Sequence, residues 1–297
     1  MSLLTNLLDH TCSSDFKMEQ VLKLSARGPY DLIENNNDTL LVTIGDSWTY
    51  GSRLAEEYPA NPERGRIEHC YGYHLSQHLK ADFLNYSVPG ANNLWMIEKY
   101  KTLVQLADQL DYKKIIIFIA LTEYGREIST DFDLDPSLND LYRLSNTPRD
   151  LAVALSQHIA NQLLSTKHSK IKLVLGLNYV NNIYPKELNS YFIDKFWLEC
   201  ILGKTIDTEC LAVGTWAIEK FKLLTNEFNP LADQTMALNE VISMIEQGET
   251  RLNLIYNSGH NYKEGYGHPN SMGHKIWADY ITSKIDDILD NQNTNCG

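Results

Sequence analysis

The chain has 297 residues, with 43% hydrophobic and 22% charged content, which is enough to bury the core of one large globular domain. A net charge of −12 repels phosphate backbones and anionic bilayers, which excludes non-specific nucleic-acid binding and membrane docking as first readings. The 5 cysteines are odd in number, widely spaced and without a Cys-x-x-Cys pair, so they read as free thiols in a reducing compartment rather than a disulfide framework or a zinc site.

Residues 1–38 are polar and mixed and read as an N-terminal extension. They lack a basic n-region and a long apolar run. With no stretch of about 18 apolar residues anywhere, the expectation is a cytoplasmic protein without signal peptide or transmembrane helix. Thr39–Ile44 is a short apolar, β-branched run of the kind found in strands buried on both faces, and it ends at the turn signal Gly45-Asp46-Ser47. A helix is predicted near His69–Lys80, then a strand over Asp82–Val88 closed by Pro89-Gly90. Helical spacing of Leu94, Ile97, Leu103, Leu106 and Leu110 marks Asn93–Leu110. Lys114–Leu121 is the clearest buried strand. Residues 129–147, rich in Asp, Ser, Asn and Pro, read as an exposed loop. Pro148 opens a helix running to about Thr166, and Ile171–Leu177 is a fourth strand. Residues 181–250 are long, mixed and aromatic-rich, and read as a mostly helical insertion or lid. Leu252–Tyr256 is a fifth strand, and a last helix runs from Ser271 to about Leu289.

Strands alternating with helices imply βαβ units and a mainly parallel five-stranded sheet covered by helices on both faces, in one domain spanning 39–290. Ligands of such sheets bind beyond the carboxyl ends of the strands. Ser47, Gly90, Thr122 and His268 all fall at or after such ends.

A serine on a tight turn after a buried strand exposes its hydroxyl, and its backbone N–H lies where a following helix gathers partial positive charge. That hydroxyl is a poor nucleophile until a base takes its proton. The far end of the chain offers Gly267-His268-Pro269-Asn270, with His274 as a rival. Plainer readings stand beside these. Ser47 serves equally well as a turn or N-cap residue, Gly90 as a positive-φ turn residue, His268 as a helix cap and Thr122 as an ordinary strand end. His260, His268 and His274 share no helical face, so no metal and no cofactor is expected.

Taken together, Gly45-Asp46-Ser47, the run Asn85-Tyr86-Ser87-Val88-Pro89-Gly90-Ala91-Asn92, and His268-Pro269-Asn270 with Gly273-His274 resemble, in order, blocks of the SGNH/GDSL hydrolase family. The resemblance spans roughly residues 39–285, interrupted by 181–250. It implies a flavodoxin-like three-layer α/β/α sandwich. It also implies a serine esterase with Ser47 as nucleophile, His268 as general base, and an oxyanion hole from the Ser47 and Gly90 backbone. Two positions depart from the family pattern. The asparagine of the third block is replaced by Thr122, in Ala120-Leu121-Thr122-Glu123, whose hydroxyl can donate one hydrogen bond to the oxyanion with a shorter reach; Asn92, Asn93 or Arg126 are the candidates to stand in, and the same three are candidates for binding the substrate. The aspartate three residues before the base is replaced by Gly265, which leaves the adjacent Glu264, or a backbone carbonyl, to orient the imidazole. Arg126 is also a candidate for binding an acidic substrate group, or it pairs with Glu123 at the surface.

The implied activity is hydrolysis of small acyl esters, acetyl above all, on an alcohol or carbohydrate. Two alternatives stay open: a non-catalytic binding or structural module on the same scaffold, and acyl transfer to a sugar or other alcohol. The Gly45–Gly51 block is also similar to SGNH-like proteins in bacteriophage and marine microbial sequences, which would fit release by lysis onto a glycan surface.

Overall fold

A computed structural model describes residues 32–33, 35–52, 54–122, 148–177, 184–195, 197, 200 and 269–294. Its centre is a sheet of strands β1 (Leu32–Ile33), β2 (Thr39–Ile44), β3 (Asp82–Asn85), β4 (Lys114–Leu121) and β5 (Ile171–Leu177), in the spatial order β1-β3-β2-β4-β5. The four long strands are parallel, with Val42 opposite both Leu84 and Ile117, and Ile117 opposite Leu173. Only the two-residue edge strand β1 runs antiparallel, pairing Leu32 with Leu84. Without β1 the order is that of a flavodoxin-like sheet.

The strands are apolar on both sides because both sides are covered. Leu40, Val42, Ile44, Ile115, Ile117, Ile119, Leu173 and Leu175 pack into one core. The alternate residues Leu41, Phe83, Ile116, Phe118, Ala120 and Val174 pack into another. Short helices α1 (Ser47–Tyr50), α2 (Leu54–Glu57), α3 (Pro62–His69) and α4 (Tyr71–Leu79) link β2 to β3. Helices α5 (Asn93–Leu106) and α6 (Pro148–Ser165) cover the first face. Helix α4 and the last helix, α7 (Ser271–Thr294), cover the second. This is the three-layer α/β/α sandwich expected. Among the described residues, no helix is long and apolar enough to cross a membrane.

Several elements differ from the sequence reading. The helix expected near His69–Lys80 is α4, Tyr71–Leu79, but the sequence reading has no counterpart to α3, Pro62–His69, which is parted from α4 by the extended backbone of Cys70. The second strand ends at Asn85 rather than Val88. Beyond it, residues 86–88 bond to the β2 end, Tyr86 N–H to the Thr43 carbonyl (2.8 Å) and Val88 N–H to the Gly45 carbonyl (3.1 Å). The end of the 1–38 extension joins the sheet as β1. The chain beyond it is held by Asp82, whose Oδ1 accepts from the Asn35 and Asn37 backbone N–H groups at 2.9 and 3.1 Å. Part of the stretch read as an insertion or lid is core: Lys186–Tyr191 form a 3-10 helix, and Leu188, Ile193 and Trp197 are buried. The strand expected at 252–256 lies outside the described residues.

Candidate active site

Ser47 opens α1, a single helical turn at the carboxyl end of β2. So short a helix is not self-supporting, and side chains hold both its ends. Asp46 is the N-cap, fully buried, with Oδ1 accepting the Trp48 N–H at 2.9 Å. At the other end Gly51, with φ of +81°, closes the turn, its N–H reaching the Ser47 and Trp48 carbonyls. Arg66 donates from Nη1 to the Tyr50 carbonyl at 2.9 Å and lays its guanidinium 3.9 Å from the Tyr50 ring centre. Asn85 donates from Nδ2 to the Thr49 and Tyr50 carbonyls at 3.3 and 3.4 Å. Gly45 is required by close approach: a Cβ there would lie 2.1 Å from the Thr49 hydroxyl oxygen. Within this frame Ser47 itself is half-buried.

The neighbouring strand ends converge on the same turn. Asn85 Oδ1 accepts from the Ser87 N–H at 3.3 Å, so one side chain fastens α1 to the segment leading to Gly90. Gly90 is exposed, has φ of +82°, and has nothing within 4 Å of where a Cβ would stand. Its left-handed backbone favours glycine, and the space before it is open. On the other side, across the β2–β4 switch point, the Thr122 hydroxyl donates to Asp46 Oδ2 at 3.1 Å. Asn93 and Thr122 clasp each other: Thr122 N–H donates to Asn93 Oδ1 (2.8 Å), and Asn93 Nδ2 donates to the Thr122 carbonyl (3.0 Å). Asn92 caps α5, its Oδ1 accepting the Trp95 N–H at 2.8 Å. Thr122 is thus bonded to the N-cap of the serine turn, Asn93 is bonded to Thr122, and Asn92 caps its own helix.

The chain comes back to this region at the start of α7. Asn270 Oδ1 accepts the Gly273 N–H at 2.9 Å, and Glu57 accepts from both the Ser271 N–H (3.1 Å) and hydroxyl (2.8 Å). Ser271 is thus tied to α2, the helix that follows the Ser47 turn. His274, a rival base on sequence grounds, is wholly buried, and its Nδ1 accepts the first helical N–H of α4, that of Tyr71, at 3.1 Å. It serves as the cap that Cys70 does not supply. Trp197 packs against it with ring centres 4.7 Å apart. His268, Glu264 and Arg126 lie outside the described residues. Among the described residues, no cluster of three or more His, Cys, Asp or Glu side chains could hold a metal.

Asn85, Arg66, Glu57 and Trp197 were not singled out by sequence reasoning. Asn85 alone left a signal, as the first residue of the run that leads to Gly90.

No protein-family model matches the sequence, and no curated protein matches it. Solved structures do. One similar chain is a member of the lipolytic protein G-D-S-L family from Veillonella parvula DSM 2008, 11% identical, with 82% of this chain and 97% of that one covered and a TM-score of 0.35. A second is a carbohydrate esterase whose active site is described as having divergent catalytic and non-catalytic binding functions, 13% identical, with 86% and 67% covered and a TM-score of 0.38. A third is a family two carbohydrate esterase from Clostridium thermocellum in complex with cellohexaose, 13% identical, with 84% and 64% covered and a TM-score of 0.35. The strand order of the chain itself gives a flavodoxin-like three-layer α/β fold, in which Ser47, Gly90 and Thr122 follow the carboxyl ends of three adjacent parallel strands.

Proposed function

We propose that the protein is a serine esterase that removes small acyl groups, acetyl first among them, from an alcohol or carbohydrate. The observation that carries this reading is the placement of Ser47. It opens a helical turn capped at both ends, at the carboxyl end of a central strand, and the open left-handed turn of Gly90 follows the next strand. In the proposed course the Ser47 hydroxyl attacks the acyl carbonyl while His268 accepts its proton. His268 then gives that proton to the departing alcohol, and water, activated by the same imidazole, releases the acid from Ser47. The Ser47 and Gly90 backbone N–H groups are the donors assigned to the oxyanion, and Glu264 is the candidate to orient His268. Thr122 is the weaker candidate for a third donor, because its hydroxyl donates to Asp46. Arg126 remains the candidate contact for an acidic group on the substrate.

The test is turnover of p-nitrophenyl acetate and acetylated oligosaccharides by wild type, Ser47→Ala and His268→Ala. Both variants are expected to lose at least about 1,000-fold in kcat while folding normally. Turnover that survives Ser47→Ala would refute the reading. One observation favours a second reading, a non-catalytic glycan-binding module: the Thr122 hydroxyl points to Asp46 in the place where a third oxyanion donor is expected. Glycan binding without Ser47-dependent turnover would select it. Acylated sugar appearing when an acceptor is added would mark acyl transfer.

A further inference from the structure

Trp197 comes from the stretch that follows β5, far in sequence from both Ser47 and the start of α7, and it touches the neighbourhood of each. Its side chain is wholly buried. On one side its ring meets that of Trp48, the residue after Ser47, edge-on with centres 5.3 Å apart. On the other, its Nε1–H donates to the Gly273 carbonyl at 3.0 Å, in the first turn of α7, and its ring packs on His274 in the same turn. Both contacted segments are braced against their own surroundings, Trp48 through Asp46 and Gly273 through Asn270. The indole is therefore a rigid spacer between two local frames. A planar ring with one directed donor fixes both distance and rotation, which a purely aliphatic contact would not.

We infer that Trp197 is a positioning residue, which sets the serine turn against the opening turn of α7. This rests on the reading of Ser47 as nucleophile and of His268, in the chain just before α7, as its base. The spacing that Trp197 sets then governs how well the hydroxyl and imidazole meet. Misplacement by about 1 Å costs reactions of this kind about 100-fold.

The test compares Trp197→Phe, which keeps a ring and loses the Nε1–H, with Trp277→Phe, a change in the same aromatic cluster, where Trp277 stacks on Trp197 at 6.0 Å. Trp48→Phe serves as a second probe of the bridge should Trp197→Phe not fold. Two readouts are taken: kcat and KM for acetyl-ester hydrolysis, and hydrogen exchange of the Trp48–Gly51 and Gly273–His274 amides. Trp197→Phe is expected to lower kcat about tenfold with KM within twofold, and to speed exchange in both segments together about tenfold. Trp277→Phe is expected to lose thermal stability while keeping kcat. Unchanged exchange in either segment, or kcat preserved while melting temperature falls as in Trp277→Phe, would overturn the inference. A wild type without Ser47-dependent turnover but with coupled exchange would instead remove the esterase reading and leave the bridge standing.

Discussion

Replacing Thr122 by valine removes a hydroxyl and keeps the side chain's shape. Thr122 is 2% exposed, and its hydroxyl donates to Asp46 Oδ2 at 3.1 Å, while Asp46 is 0% exposed and uses Oδ1 for the Trp48 N–H at 2.9 Å. The substitution leaves a buried carboxylate short of one donor, and a hydrogen bond to a charged group contributes about 1.5–3 kcal/mol. A chain of 297 residues shifts by about 1.6 °C per kcal/mol, so the melting temperature should fall by about 2–5 °C. Thr122→Ser, which retains the hydroxyl, should lose less. Thermal melts by circular dichroism read the stability, and ester turnover measured well below the melt reads the chemistry. A melt for Thr122→Val within 1 °C of wild type would refute the reasoning. So would a 100- to 1,000-fold loss of kcat with the melt unchanged, which is what removal of an oxyanion donor produces.

Gly45→Ala forces a Cβ to within 2.1 Å of the Thr49 hydroxyl oxygen; the serine turn must shift, and a loss of about 1–3 kcal/mol or more is expected in denaturant melts. Asp82→Ala removes the acceptor for the Asn35 and Asn37 amides and for the Tyr112 hydroxyl (3.1 Å). It should speed exchange of those two amides and cost about 1.5–3 kcal/mol. Burial, together with Lys275 and His69, lowers the His74 pKa, with Asp279 pulling the other way. The imidazole thus stays neutral in the fold where the unfolded chain takes up a proton. Its contribution is whole above about pH 6.5 and falls as pH drops through that value, so His74→Gln should flatten the pH dependence of stability by at most about one proton.

The parallel strands β2, β4 and β5 were legible because they are buried on both faces, which leaves largely apolar runs such as Ile115–Leu121. The helices α5, α6 and α7 were legible from periodicity and from Pro148. The two-residue strand β1 carries no pattern of its own; the chain after it is held by Asp82, a contact with residues more than forty positions away. The break at Cys70 was hidden because apolar residues continue through it, and it is stabilised by His274 from the other end of the chain. The turns at Ser47 and Gly90 were legible because a turn after a strand has a sequence signature. The family resemblance puts Thr122 forward as an oxyanion donor and Asn93 as its stand-in or a substrate contact, and it says nothing of the bonds the two make with each other and with Asp46. Sequence gives position along a strand and not the direction of a hydroxyl, and Asp46, fully buried, claims this one. Trp197 looked like one aromatic among many in a long irregular stretch. Only the packing around it distinguishes it.

The central claim is that Ser47 is a nucleophile, and covalent labelling tests it most directly. Wild type treated with a fluorophosphonate should gain one adduct, mapped by mass spectrometry to the peptide containing Ser47. The adduct should be absent from Ser47→Ala and form much more slowly in His268→Ala. A folded wild type that gains no adduct at Ser47, or an adduct that persists in Ser47→Ala, would contradict the account.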